Sequence, residues 1–133
     1  MNKQQAYNSF WGGFGVLAFE ENSMPDDSVI NALIKSGAAQ SKYPYITYQV
    51  ITDDLGRPVT PTASIYDKST SWERADTLSN AISSRIQAMN TIALDNGRMF
   101  ITKGTPFAQH LGEDDTTIKR IVLSISVEFL TET

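Results

Sequence analysis

The side chains in this sequence able to move protons, hold cations or meet phosphates are few and scattered. There is one histidine, His110, and there is no cysteine. His110 could serve as a general base or a metal ligand. It has no second histidine or thiol to work with, and its nearest acids are Glu113, Asp114 and Asp115. The expectation is an exposed or interface histidine. The acids gather in doublets, Asp26-Asp27, Asp53-Asp54 and Asp114-Asp115. Paired carboxylates can bind a divalent cation, but the spacing of a calcium loop is missing. Asp26-Asp27 reads better as a helix cap and Asp53-Asp54 as part of a hairpin loop.

Other candidate chemistry is thinner. Trp11-Gly-Gly-Phe-Gly15 lacks the spacing of a dinucleotide or Walker phosphate loop. Its glycines read as a helix stop. No serine lies in a G-x-S-x-G context. Tyr43, Tyr45 and Tyr48 could stack bases, but no basic groove accompanies them, so a sheet or subunit interface is the better reading. No catalytic residue, metal ligand or cofactor site is assigned.

Composition sets the frame. The chain has 133 residues, 41% hydrophobic and 20% charged, which suits one globular domain spanning 1–133. No apolar run is long enough for a membrane helix, and the first residues lack the apolar core of a secretory signal. The net charge of −4 disfavours general affinity for nucleic acid. Without cysteine there is neither a disulfide framework nor a thiolate metal site, and a reducing compartment fits.

The elements that must position these residues follow from periodicity. Residues 3–11 read as a short helix with Ala6, Tyr7, Phe10 and Trp11 on one face, and residues 16–20 read as a strand. Residues 29–35 read as an amphipathic helix stopped by Gly37, within a segment, 28–42, that is a candidate inserted helix or arm. Residues 46–51 and 62–67 read as partner strands around a polar loop, 52–60. Thr70-Ser-Trp-Glu73 has the pattern of a capping box opening a helix to about Met89, with Trp72, Ala75, Leu78, Ile82, Ile86 and Met89 in one stripe. Burying such a stripe contributes roughly 1.5–3 kcal/mol per large side chain. A hairpin about Asp95-Asn-Gly97 comes next. Residues 104–116 read as a loop. Residues 118–129 alternate as a long strand with Ile121, Leu123, Ile125, Val127 and Phe129 facing inward. The sum is an α+β domain: an antiparallel or mixed sheet packed against one long helix, plus a short N-terminal helix.

Many short matches in one order carry a resemblance. They are Phe10-Trp11, Phe14-Gly15, Ala18-Phe-Glu-Glu-Asn22, Pro25-Asp-Asp27, Pro44-Tyr-Ile-Thr-Tyr48, Thr62-Ala-Ser-Ile-Tyr66, Ser69-Thr-Ser-Trp72, Gly104-Thr-Pro-Phe-Ala-Gln109, Arg120-Ile-Val-Leu123 and Glu128-Phe-Leu-Thr131. Over nearly its whole length the chain resembles the tail terminator proteins of long, non-contractile-tailed bacteriophages, also called minor capsid or tail completion proteins. It departs from them in the longer 28–42 segment.

The resemblance implies a structural virion protein of the phage neck, not an enzyme, assembled in the bacterial cytoplasm. It implies a homo-hexameric ring that caps the tail tube, stops tube polymerisation and meets the head-completion or connector protein. Viral double-stranded DNA would pass through the lumen without sequence-specific binding, and an acidic chain would suit that passage. Expected contacts to the ring, tube or lumen are Asp53, Asp54 and Arg57 in one loop, and Phe107, His110, Glu113, Asp114 and Asp115 in the other. Phe107 is either an anchor for a neighbour or part of its own core. The alternatives are a head-completion or connector protein, a tail-tube subunit and, last, a small metal-dependent enzyme.

Overall fold

A computed structural model of the chain describes residues 3–21, 23, 25–37, 41–49, 59–88, 91–95, 97–111 and 117–131. Among them are three α-helices and six strands joined in one mixed sheet, an α+β arrangement. The helix α1 spans Lys3–Trp11 and passes into a 3-10 turn, Gly12–Phe14. The stop signal sits later than expected: Gly15, with φ of 76°, takes the left-handed conformation that ends the turn. Strand β1 is Leu17–Glu20, and α2 is Asp27–Lys35. The Asp26 carboxylate caps α2, accepting from the Val29 N–H at 3.2 Å and the Ser28 hydroxyl at 2.7 Å. Those bonds, the Ser28 one foremost, hold its carboxyl below the usual range.

Strand β2 is Tyr45–Tyr48 and β3 is Thr62–Lys68. Helix α3 is Glu73–Ala88, starting three residues after the expected cap. Thr70 does not open it; the Ser71 hydroxyl accepts from the Glu73 N–H at 3.1 Å. The buried residues of α3 are Ala75, Leu78, Ser79, Ile82 and Ile86, with Trp72 packed beside them. Strand β4 is Thr91–Leu94, β5 is Gly97–Leu111 and β6 is Ile118–Thr131.

The spatial order is β1-β2-β3-β6-β5-β4. Among the described residues only β1 and β2 run parallel; the other strand pairs are antiparallel. Parallel neighbours need a crossover, and residues 28–42 lie in it, with α2 as its helix. Lys42 ties the start of β2 to the first turn of α2 through a 3.1 Å bond to Asp27.

One expectation is overturned. Residues 104–111 do not form a loop, because β5 continues through Leu111 against β6. The pairing shifts register between Lys103 and Ala108, and Gly104 and Pro106 lie inside that gap. Proline there interrupts no ladder bond. Gly104 permits a close approach: a Cβ at that position would stand 2.9 Å from the Ser124 carbonyl oxygen.

The core lies between one face of the sheet and α1 with α3. It joins Tyr7, Phe10 and Trp11 of α1 and Ile82 and Ile86 of α3 to Ile46, Ile65, Met99, Ile101 and alternate residues of β6 from Ile121 to Phe129. Leu17 and Ile30 are buried apart from this cluster. The Tyr7 hydroxyl and the Trp11 Nε1 are buried with no hydrogen-bond partner among the described residues.

Candidate docking surfaces

Six of the residues expected to form contacts, Asp53, Asp54, Arg57, Glu113, Asp114 and Asp115, lie outside the described residues. The remaining two are on β5. Phe107 is partly buried against the core, with the Lys103 ammonium 5.8 Å from its ring centre. His110 lies opposite Ile121, and so on the helix side of the sheet. Its ring lies flat on Trp72, with centroids 3.8 Å apart and planes 2° from parallel. Its Nε2 meets the Asp76 carboxylate at 2.7 Å. The Lys119 ammonium stands 5.6 Å from the same Trp72 ring.

The His110–Asp76 pair resembles half of a nucleophile-activating relay, but no hydroxyl or thiol is bonded to the other ring nitrogen among the described residues. What the geometry does is fasten the β5–β6 ribbon to the first turns of α3. Among the described residues no group of three or more His, Cys, Asp and Glu side chains is arranged to hold a metal ion.

A second acid–base pair fixes the same corner from inside. The Asp67 side chain is fully buried, and Arg74 donates to it from Nη2 at 2.7 Å and Nε at 3.2 Å. The same Nη2 reaches the Lys68 carbonyl at 3.1 Å. A two-pronged guanidinium–carboxylate contact sets direction as well as distance. It aims the start of α3 across the end of β3.

On the other side of the sheet the residue types change. Tyr43 and Tyr45 rings are 5.3 Å apart, and Tyr45 stacks on Tyr66 at 5.1 Å. The Arg120 guanidinium lies 5.3 Å from the Tyr66 ring and donates to the Ser64 hydroxyl at 3.2 Å. Burial, with smaller contributions from Tyr43, Tyr66 and Asp27 nearby, pushes the Tyr45 phenol up to about 12. The row crosses β2, β3 and β6 and ends in an arginine, a mix enriched at protein interfaces. Beyond it Val122, Ser124, Ser126 and Glu128 of β6 and Phe100 of β5 are half-buried. Neither α1 nor α3 covers this face, since both pack on the opposite one.

Sequence reasoning grouped Tyr48 with Tyr43 and Tyr45. Tyr48 instead faces the core, stacked on Trp11 at 5.9 Å. It missed Tyr66 and Arg120. Strand alternation held the signal: Tyr45, two places from Thr47, shares a face with its register partner Tyr66, which is opposite Arg120.

Comparison with known protein families finds no matching family model, and comparison with curated proteins finds no match.

Proposed function

We propose that this chain is a structural subunit of a bacteriophage neck, a tail terminator. Six copies close into a ring on the last ring of tail-tube protein and stop its growth. The ring then presents a surface to the head-completion or connector protein, and double-stranded DNA passes through its lumen. No bond is made or broken. The observation that carries the reading is the half-buried row of Tyr45, Tyr66 and Arg120 on the sheet face turned away from α1 and α3. Its residue types suit a protein partner, and the strands behind it are fixed by the core. The resemblance to tail terminator proteins, proposed from the short segments quoted above, supplies the phage context.

The test is electron microscopy of lysate from the parental phage carrying an early stop codon in this gene. Overlong, headless tails beside filled heads are expected. Tails of normal length beside emptied heads would move the protein to the head side of the neck and overturn the terminator reading.

A further inference from the structure

A groove of about 370 Å³ opens between α3 and the chain entering β1 and β2. Phe14, Pro44, Leu78 and Ala81 make it apolar, and Glu73 and Arg74 stand at its rim. Arg74 is occupied by Asp67 and the Lys68 carbonyl. Glu73 makes no ion pair among the described residues, so the rim presents an uncompensated negative charge.

Three large apolar side chains are exposed among the described residues: Val29, Leu111 and Leu130. Val29 sits beside Asp26 and Asp27, which the Glu73 rim would repel. Leu111 lies opposite Arg120, whose guanidinium is held by Ser64 and Tyr66. Leu130 is 46% exposed and lies opposite Arg98, an exposed cation with no ion pair among the described residues. It is an apolar knob with a free positive charge, matching an apolar groove with a free negative one. The groove lies on the helix side of the sheet, along α3, whereas Leu130 alternates with the buried Phe129 and so lies on the other side. One molecule cannot bring them together.

We infer that the groove receives Leu130 of a second copy of this chain, with that copy's Arg98 against Glu73. This contact is head-to-tail, so it propagates from copy to copy and closes into a ring where the rotation allows. It supplies the interface of the ring proposed above and rests on that reading for closure, though not for the pairing itself.

The chain has no cysteine, which makes the contact directly addressable. In the full chain, Ala81→Cys together with Leu130→Cys is oxidised with copper phenanthroline. Both positions are exposed, so the fold tolerates the changes. The double variant is expected to give a covalent ladder beyond the dimer. Each single variant should show no cross-linked species on a denaturing, non-reducing gel, and an equimolar mixture of the two should stop at the covalent dimer. Glu73→Arg added to the double variant should reduce the ladder at least tenfold, and Arg98→Glu in the same chain should restore it. Absence of the bond, or single variants that cross-link as fast as the double, overturns the inference. Native mass spectrometry of the unmodified chain separates the two readings. A hexamer without the 81–130 bond sinks this interface and leaves the ring; an open ladder with no closed species keeps the interface and sinks the ring.

Discussion

The two faces of the sheet are made by the same strands and have opposite fates. Along β6, Ile121, Leu123, Ile125, Val127 and Phe129 are buried, while Val122, Ser124, Ser126 and Glu128 between them are only partly covered. The helix side is apolar almost throughout, and its buried charge, Asp67, is matched by Arg74. The outer side carries tyrosines, hydroxyls and an arginine that reaches a ring and a hydroxyl of the same face. Folding uses up the first face and leaves the second with contact capacity to spare. The two faces should therefore contribute unequally to stability, and substitutions can show how cleanly.

The largest effect should come from Arg74→Ala, which strands a fully buried carboxylate at a cost of about 3–5 kcal/mol. Arg74→Lys should recover only part, because an ammonium cannot reproduce the two-pronged contact. Urea unfolding midpoints read both. A neighbouring pair on β6 sharpens the contrast between faces. Ile125→Ala should lose about 2–5 kcal/mol, whereas Ser126→Ala should stay within about 0.5 kcal/mol. Equal losses would mean that the outer face contributes as much to the fold as the inner one.

Gly104→Ala probes the ribbon that both faces share. The added methyl meets the β6 backbone and should cost about 1–3 kcal/mol in thermal or urea denaturation. Alkaline titration reaches the outer face by another route. Unfolded tyrosine loses its proton near pH 10, while folded Tyr45 keeps it until about 12. The folded state therefore holds more protons across that window, and stability falls as pH rises from 10 to 12. Tyr45→Phe should make the fall shallower, measured as urea midpoint against pH. A residual slope should remain, since burial also raises Tyr7 and Tyr48. The smallest effect belongs to Tyr7→Phe on the helix side. Removing a buried hydroxyl that has no partner among the described residues should leave stability unchanged or raised by up to about 1 kcal/mol.

Legibility in the sequence followed the range of the forces. The α1 stripe, the Asp26 cap and the alternation of β6 are local patterns, and each element lies where its pattern places it. The extent of β5 was illegible because glycine and proline normally punctuate strands. Here they mark a register shift inside a strand that a long alternating partner carries onward. The parallel pairing of β1 with β2 has no local signature, since it depends on how the crossover is routed. The candidate surfaces were less legible than the fold. His110 could be singled out, but Trp72 and Asp76 come to it from a distant part of the chain. Of the tyrosine row, two members were visible as a run, and Tyr66 with Arg120 joined them only through sheet pairing.

The central pairing of β3 with β6 has a consequence for biosynthesis. Arg120 and Ser64 meet across 56 positions of chain, and the strand between β3 and β5 in the sheet is β6. Until β6 has left the ribosome exit tunnel, β3 and β5 have no shared neighbour and the hydrophobic layer lacks its middle. A nascent chain halted before β6 should remain protease-sensitive along its length. Folding is thereby deferred until this segment has been synthesised, and the outer face takes shape in the same late step.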